Sequence, residues 1–384
     1  MVILMDEFLR HQRDWRLIHS LVHGPVCRMF NFSYEDYQVQ GPILLIPNHS
    51  CAWDPLLVGS AHKDKQVYFV ASEHLFRLGL VSKVIEHLVA PIPRRKASSG
   101  ADTVKACLRH LRAGHSVCLF AEGEQSWTGR NIPVFPATGK LARSSGATLV
   151  TYKLEGAYLS LPRWGKGIRR GRVYGHPVGI YPPDLLKTMS PDEINTLINR
   201  DIAEDAWERQ RSAPVAFRGK RRAEGMERAV YLCPRCCRIG TLRTAGNHVF
   251  CSCGLDLEYT ETGFFHPSEP FATLAEWDDW QLGKLHSREF LRRGPDGPLF
   301  SDGGVTLSEL SAGHGERLLS GGVLLQYEDR IECAGYRFPL LTIGNMAMVL
   351  TDRLLFSSEG NYYEIRSPAG ANLRKYLEIW KEKH

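Results

Sequence analysis

The sequence lacks any run of about 18 consecutive apolar residues, which a helix needs to cross a membrane. Its N-terminal stretch, "MVILMDEFLRHQRDWRLIHSLVHG", also lacks the long apolar core and the small-residue cleavage site of a signal peptide. Long repeats and low-complexity segments are missing as well. We therefore expect a cytoplasmic protein that associates peripherally with the cytoplasmic face of a membrane.

The composition indicates a globular protein of more than one domain. The chain has 384 residues, 43% of them hydrophobic, and a formal net charge of +6. Shifts in pattern predict four regions: an N-terminal helical segment (1–30), an α/β domain (31–215), a cysteine-rich segment (228–262) and a β-rich region (270–384). The basic stretch "RGKRRAEG" reads as a linker before the cysteine-rich segment.

The first region has apolar residues at helical spacing, with arginines and a histidine between them. This amphipathic pattern fits a helix that packs on its own domain. It also fits an interfacial helix that touches lipid. The apolar positions are Phe8, Trp15, Ile18, Leu21 and Val22.

Short apolar runs alternate with helical segments from Gly41 onward. The runs are "GPILLIP", "QVYFVAS", "SVCLFAEG" and "ATLVTYKLEG", and this alternation predicts an α/β layer fold with a largely buried sheet. A helix is predicted over "SSGADTVKACLRHLRAG", and a second over "SPDEINTLINRDIAEDAWERQR". In the second helix, Ser190 and Glu193 form a predicted capping box, and Pro191 suits the first position.

The segment "LLIPNHSCAWDPLLVG" places His49 and Asp54 five positions apart at the end of an apolar strand. In one continuous helix that spacing would put the two side chains about 140° apart. They can meet only if His49 lies in the turn and Asp54 begins the following helix. Asp54 would then fix one ring nitrogen of His49 and leave the other basic, as a general base requires. A satisfied structural pair is the alternative interpretation.

A second segment, "LFAEGEQSWTGR", carries Glu122 and Gly123 at the end of another apolar strand. Together the two segments resemble the glycerophospholipid acyltransferases, the lysophosphatidic acid acyltransferase superfamily, over roughly residues 30 to 215. The N-H-x-x-x-x-D motif of that family is matched by Asn48, His49 and Asp54. Its F-P-E-G-T-R-S motif is matched in part by "FAEGEQS", and its strand-ending arginine is matched by Arg94 or Arg95.

The resemblance implies transfer of a fatty acyl group from a thioester, acyl-CoA or acyl-carrier protein, to a hydroxyl of a lysolipid. His49 would be the general base and Asp54 its orienting partner, so that no acyl-enzyme is required. Cys51, which lies between them, leaves a covalent route as an alternative. Such an activity belongs to phospholipid biosynthesis and would be like that of a 1-acylglycerol-3-phosphate O-acyltransferase.

The substrate-binding residues implied by the resemblance include Arg94 and Arg95, whose guanidinium groups suit a phosphate. A solvated basic loop is the alternative for these two. Glu122 and Gly123 would contact the headgroup, or Glu122 would orient an arginine. The family's arginine is replaced by Gln125, and an acid, Glu124, precedes it. The lower positive charge favours a headgroup less anionic than a phosphomonoester, although Arg130 partly restores the charge.

A basic stretch, "LPRWGKGIRRGR", has five Lys or Arg residues and no acid over residues 161–172. A solvated face, a contact with anionic lipid headgroups and nucleic-acid binding are the three interpretations that its charge allows.

Five of the ten cysteines fall within "CPRCCRIGTLRTAGNHVFCSCG". The pairs Cys233–Cys236 and Cys251–Cys253 have the spacing of a zinc ribbon, in which four thiolates hold a structural zinc ion. Cys237 is then a spare. Redox-active or inert thiols are the alternatives.

Strand patterns after residue 270, closed by one predicted C-terminal helix over "AGANLRKYLEIWKEK", resemble a pleckstrin-homology barrel in element order alone. A peripheral acyltransferase with these accessory modules is the preferred interpretation, with nucleic acid not expected as a partner. The alternatives are a nucleic-acid-binding or lipid-binding protein with a degenerate acyltransferase domain, and a thioester hydrolase.

Overall fold

The computed structural model describes residues 5–77, 80–94, 100–287, 290, 297–311, 315–367 and 370–384. Within these ranges the chain divides into two compact units. The first contains the described residues of Met1–Arg95, Gly100–Arg163 and Gly167–Gly219, and the second consists mainly of Lys220–His384. Each unit is described by itself below.

The first unit alternates helices and strands. Its helices are α1 (Met5–Phe30), α2 (Asp54–Ser60), α3 (Leu80–Val89), α4 (Ala101–Arg112), α5 (Ala137–Ser145), α6 (Ala157–Ser160), α7 (Pro183–Thr188), α8 (Pro191–Ile202) and α9 (Ala206–Ser212). Its strands are β1 (Phe32–Tyr34), β2 (Ile43–Pro47), β3 (Val67–Ser72), β4 (Ile92–Arg94), β5 (Ser116–Cys118), β6 (Thr148–Glu155) and β7 (Val173–Tyr181).

The seven strands form one sheet in the order β1-β7-β6-β2-β5-β3-β4. All neighbouring strands run parallel except β6 and β7, which are antiparallel. Strand β2 lies at the centre, and its side chains enter two different cores: Ile43 and Leu45 face the layer that contains α1 and α2, whereas Leu44 and Ile46 face the layer that contains α4, α5 and α8. A sheet buried on both faces explains why β2 is continuously apolar.

The helix predicted over residues 190–211 is two helices. The predicted capping box of Ser190 and Glu193 is present at the start of α8, but α8 ends at Ile202. The backbone N–H of Glu204 donates to the side chain of Asn131, and Asp205 caps α9. Contacts from a distant loop therefore end α8 earlier than the apolar periodicity predicts.

The second unit contains two antiparallel sheets. The first is formed by β8 (Leu242–Ala245), β9 (His248–Cys251), β10 (Asp256–Tyr259) and β11 (Phe265–His266) in the order β11-β10-β9-β8. Helix α10 (Leu274–Leu285) follows. The second sheet and the final helix comprise β12 (Phe300–Leu310), β13 (Glu316–Gln326), β14 (Arg330–Cys333), β15 (Tyr336–Pro339), β16 (Ile343–Val349), β17 (Arg353–Ser358), β18 (Asn361–Arg366) and α11 (Arg374–Glu382).

The larger sheet has the order β15-β14-β13-β12-β18-β17-β16. Strand β12 pairs with both β13 and β18, so it joins β13–β15 on one side to β16–β18 on the other. Its register against β13 changes twice. The predicted β-rich region with a C-terminal helix is therefore present. Helix α10, which the sequence analysis missed, starts with a capping box of Thr273 and Glu276.

No helix among the described residues combines the length and the apolar character that a membrane span requires.

Candidate functional site

His49 and Asp54 meet at the carboxyl end of β2, as their spacing predicts. His49 lies in the turn after the strand, and Asp54 is the first residue of α2. The Nδ1 atom of His49 donates to Oδ2 of Asp54 over 2.9 Å, since a carboxylate oxygen can only accept. The Nε2 atom, which has no hydrogen-bond partner among the described residues, therefore keeps its lone pair. The His49 side chain is 16% exposed and Asp54 is fully buried.

Four donors surround the Asp54 carboxylate. Its Oδ2 atom also accepts from the backbone N–H groups of Ser50 (2.6 Å) and Cys51 (2.9 Å). Its Oδ1 atom accepts from the Cys51 thiol over 3.1 Å. These bonds fix the carboxylate and satisfy its charge without a cationic side chain. Burial raises the pKa of the Cys51 thiol well above its usual range, and the thiol faces Asp54 rather than solvent.

The second motif holds the backbone of His49. The Glu122 carboxylate accepts from the His49 backbone N–H over 2.7 Å, and the His49 carbonyl accepts from the Ser126 N–H over 3.0 Å. Glu122 also accepts from the Asn131 side chain (2.9 Å) and from the Ile132 N–H (2.8 Å). Because Glu122 is buried and both its oxygens accept bonds from the chain, it supports the His49 turn here. This geometry differs from the headgroup contact expected of Glu122.

Asn48, the residue before the histidine, locks β2 to β6. Its side-chain oxygen accepts from the Leu154 N–H over 2.7 Å, and its amide donates to the Leu154 carbonyl over 3.0 Å. The ring of His49 stacks on Phe120 with the ring centroids 4.3 Å apart. The turn is thus held to β6 through Asn48, and the imidazole packs on a residue just beyond the end of β5.

Arg94 ends β4 and lies near the second motif. Its guanidinium carbon is 5.4 Å from the centroid of the Phe135 ring. The same ring packs on Gly123, where an added Cβ would lie 2.1 Å from it and where φ is +77°. The guanidinium also lies against Gly100, the residue that precedes α4. Arg94 and Gly123 therefore share one surface around Phe135, whereas Arg95 lies outside the described residues.

The charges around Gln125 are compensated within the chain. Glu124 forms a 2.8 Å ion pair with Arg163, whose guanidinium lies over the Trp127 ring at 4.2 Å. Arg163 also donates to the Gln125 carbonyl over 3.3 Å. Arg130 forms a 3.1 Å ion pair with Asp205. Because Glu124 is paired with Arg163, this extra acid lowers the positive charge of the site less than the sequence suggests. Arg130 is paired with Asp205 and likewise adds less positive charge than the sequence suggests.

Cys233, Cys236, Cys251 and Cys253 converge on one point in the second unit. Their Sγ atoms all lie within 4.8 Å of one another and could hold a metal ion. The Sγ separations of Cys233–Cys253 (3.6 Å) and Cys236–Cys251 (3.8 Å) are far longer than a disulfide bond. Tetrahedral thiolates about 2.3 Å from zinc would be roughly 3.8 Å apart, so the donor set fits this metal. Cys237 is exposed and has a φ of +52°, at the turn of the first pair.

Sequence reasoning missed the supporting roles of Phe120, Asn131 and Arg163. A role for Ser126 could have been predicted, because it lies in the segment "EGEQS" that marks the second motif. Asn131 carried no such signal, because its contact with Glu122 spans nine residues of irregular loop and its contact with Glu204 spans 73 positions. The same is true of Arg163, which is 39 positions from Glu124.

Comparisons with known proteins find similarity over part of the chain. The acyltransferase family model matches residues 30–155, which include both motifs. A chloroplastic 1-acyl-sn-glycerol-3-phosphate acyltransferase from Brassica napus is 26% identical over 131 residues, or 33% of this chain and 37% of that protein. The chain thus spans little more than a third of the length of this curated relative.

Among solved structures, the 1-acyl-sn-glycerophosphate acyltransferase PlsC from Thermotoga maritima aligns with a TM-score of 0.45 and 15% identity. The alignment covers 55% of this chain and 85% of that one. The family-model match places the similarity in the segment that contains His49, Asp54, Arg94 and Glu122. Over this segment the chain is similar to the acyltransferases.

Proposed function

We propose that the protein transfers a fatty acyl group from a thioester donor to a hydroxyl of a lysolipid. The observation that carries this proposal is the His49 imidazole, whose Nδ1 is held by Asp54 while Nε2 is left without a partner among the described residues. The similarity of residues 30–155 to the acyltransferases supports the same reaction class. Acyl-CoA and acyl-carrier protein are the donor classes.

In this mechanism Nε2 of His49 removes the proton from the acceptor hydroxyl as its oxygen attacks the thioester carbonyl. Asp54 stabilises the imidazolium that forms. Collapse of the tetrahedral intermediate breaks the carbon–sulfur bond, and the departing thiolate takes the proton from His49. Cys51 is unsuited to a covalent route because its thiol is buried against Asp54.

We assign Arg94 to the anionic headgroup of the acceptor. Arg94 is the last residue of β4, and its guanidinium lies beside Phe135 and Gly123. An arginine side chain offers two parallel donors to a phosphate. Arg95 remains part of this proposal from the sequence alone. Gln125 in place of the family's arginine favours a headgroup of lower charge than a phosphomonoester, although the Glu124–Arg163 pair weakens that preference.

Peripheral attachment at the cytoplasmic face of a membrane is part of this proposal, and helix α1 supports the membrane contact. Leu9, Leu17 and Leu21 are each more than half exposed, and the arginines Arg13 and Arg16 lie among them on the exposed side. Exposed leucines with interspersed arginines suit the boundary between headgroups and acyl chains.

The second unit is assigned two accessory modules. The four cysteines would hold a structural zinc ion, because all four positions are filled by protein thiols and none is left for a substrate. The order of β12–β18 with its closing helix is consistent with a barrel resembling the pleckstrin-homology fold.

Release of free thiol from acyl-CoA, measured with and without a panel of lysolipids, tests the proposal. Acyl transfer requires release that depends on a lysolipid, whereas a thioester hydrolase would release thiol without one. A lysophosphatidic acid arm beside zwitterionic and sugar headgroups reports the acceptor preference.

His49→Ala should lower lysolipid-dependent turnover by about a hundredfold or more, the usual scale for loss of a general base. His248→Ala, at an exposed histidine of the second unit, is the matched control and should leave turnover unchanged. Near-normal acyl transfer by His49→Ala would contradict the assignment of His49 as the general base.

A further inference from the structure

Two arginines of the basic stretch, Arg170 and Arg172, have no role in the proposed site. Within the same stretch Arg163 is paired with Glu124 and Arg169 is buried. Arg170 and Arg172 are exposed, and Gly171 between them is buried. In extended chain, residues two apart share a side, so both guanidinium groups leave the same face of the segment.

The backbone that carries these arginines is firmly held. Arg170 and Arg218 exchange both backbone hydrogen bonds at 2.9 Å, as a directly opposed antiparallel pair does. A Cβ added at Gly171 would lie 2.2 Å from the Phe217 ring, and one at Gly156 would lie 2.4 Å from the Arg172 carbonyl oxygen. These close approaches fix the backbone of the segment, so the two arginine side chains extend from a rigid main chain.

Arg170 and Arg172 carry the exposed positive charge of this segment, and Arg170 lies opposite Arg218 in the backbone bridge. Among the described residues, no carboxylate forms an ion pair with Arg170 or Arg172. The Arg172 guanidinium lies 5.4 Å from the centroid of the Tyr174 ring, and that tyrosine hydroxyl donates to Glu35 over 3.5 Å. An anion would therefore compensate the charges of Arg170 and Arg172.

The segment lies at the same edge of the sheet as His49. Tyr174, near the start of β7, pairs with Glu155 at the end of β6. Strand β6 in turn pairs with β2, which ends two residues before His49. Two strand spacings correspond to about 10 Å across the sheet. In strand order, Arg170 and Arg172 flank His49 on the β7 side, and Arg94 lies on the β4 side.

We propose that Arg170 and Arg172 bind a phosphate of the acyl donor. This inference rests on the proposed function, which requires two substrates at one general base. Arg94 is assigned to the acceptor, so the donor's anionic part needs a separate place. In acyl-CoA and in carrier-bound phosphopantetheine alike, a flexible arm separates the thioester from its phosphate, which can therefore bind away from His49. Guanidinium groups match phosphate geometry.

Steady-state kinetics with two donors test the proposal. Acyl-CoA carries phosphates, and the corresponding acyl-N-acetylcysteamine thioester has the same reacting bond without them. The double variant Arg170→Ala, Arg172→Ala should raise KM for acyl-CoA about tenfold, the scale of a charge-assisted contact at an exposed site. Its kcat, and its KM for the phosphate-free thioester, should stay at the wild-type values. Arg109→Ala, at an exposed arginine of α4, is the matched control.

Binding measurements separate this inference from the proposed function. Calorimetric titration with CoA needs no turnover, and the double variant should bind CoA about tenfold more weakly. That result supports the arginines as a donor site even if no lysolipid accepts an acyl group.

Sedimentation with vesicles containing phosphatidylglycerol tests the competing source of phosphate. Unchanged CoA affinity in the double variant overturns the proposal, whether vesicle binding is retained or lost. If vesicle binding is lost while CoA affinity is unchanged, the arginines serve lipid headgroups instead.

Discussion

At the scale of single residues, the two motifs converge on His49. Asp54 holds its ring, whereas Glu122 and Ser126 hold the two ends of its peptide. The placement of His49, the proposed general base, therefore depends on a side chain whose carboxylate contacts its backbone. We expect Glu122 to act as a positioning residue, so its loss should change turnover more than substrate binding.

Glu122→Gln tests that role. The carboxylate accepts from donors at both oxygens, and an amide would turn its NH₂ group toward one of them. One buried donor would then face another, which costs about 1–3 kcal/mol of folding free energy. We expect kcat to fall about ten- to a hundredfold with KM for the donor near the wild-type value, because small displacements of a catalytic group are costly.

Glu208→Gln, at an exposed glutamate of α9, provides the control for the Glu122 variant. Kinetics and chemical denaturation of both variants give the comparison. Wild-type kcat in a folded Glu122→Gln protein would show that the His49 turn holds its position without this carboxylate.

The His49–Asp54 pair could be predicted from the sequence because both residues lie within one turn. The role of Glu122 could not, since its partner, the backbone of His49, is 73 positions away. The family pattern indicated that Glu122 belongs to the site, but only the fold shows that its carboxylate points at a backbone N–H. The spacing of residues along the chain predicts contacts between near neighbours in sequence. It does not predict a contact between the ends of two strands.

At the scale of elements, α2 is anchored at both ends. Asp54 fixes its beginning, and His62 lies just beyond its end. The His62 Nδ1–H donates to the Val58 carbonyl over 2.7 Å, so its Nε2 accepts from the Tyr37 hydroxyl over 2.6 Å. The indole of Trp15 donates to the His62 carbonyl over 2.9 Å, which ties α1 to the same corner.

This anchor predicts an acid-sensitive fold. Burial lowers the pKa of His62 from its usual 6.5 to about 4. The folded protein therefore binds fewer protons here than the unfolded chain between these values. The stabilising contribution is present above about pH 6.5 and is lost as the pH falls toward 4. A difference of about 2.5 pKa units corresponds to roughly 3 kcal/mol.

His62→Gln should remove that dependence, because the glutamine amide offers N–H donors and an acceptor oxygen and does not titrate. The free energy of unfolding of the wild type, measured by denaturant titration, should fall relative to the variant between pH 6.5 and 4. His248→Gln, at an exposed site, should follow the wild type. Parallel pH profiles for wild type and His62→Gln would contradict the assignment.

Elements with strong local signals could be predicted, and those that depend on distant partners could not. The Ser190–Glu193 capping box is an example of the first kind. The break between α8 and α9 is an example of the second, because the Asn131 side chain takes the Glu204 N–H that a continuous helix would use. Helix α10 was missed even though Thr273 and Glu276 form a capping box, since strand patterns dominate its surroundings.

At the scale of the whole molecule, the four cysteines and the larger β-sheet belong to one compact unit, with α10 between them. The Gln281 side chain accepts from the Tyr231 N–H and donates to the Ala229 carbonyl, both at 3.0 Å, just before Cys233. On the same helix Asp278 forms two 2.7 Å bonds with Arg374 of α11. Helix α10 thus joins the cysteine segment to the C-terminal helix.

We therefore predict that zinc stabilises the second unit as a whole and not only the short strands around the cysteines. The β8–β11 strands have four residues or fewer, and such a small sheet gains much of its folding free energy from the metal. Metal analysis should find about one zinc per chain, as four-thiolate ligation requires. Cys237→Ser should leave that content unchanged, because Cys237 is exposed and lies outside the four-cysteine group.

Differential scanning calorimetry before and after chelation extends this prediction to the two units. All four cysteines lie in the second unit, whereas His49 and Asp54 lie in the first. Removal of the metal should lower the unfolding temperature of the second unit on the order of 10 °C, since a few kcal/mol shift a domain of this size by that much. The transition of the first unit, identified by the temperature at which acyl transfer is lost, should not move. A shift of both transitions would mean that the units unfold together, and a shift of neither would mean that the cysteines hold no structural metal.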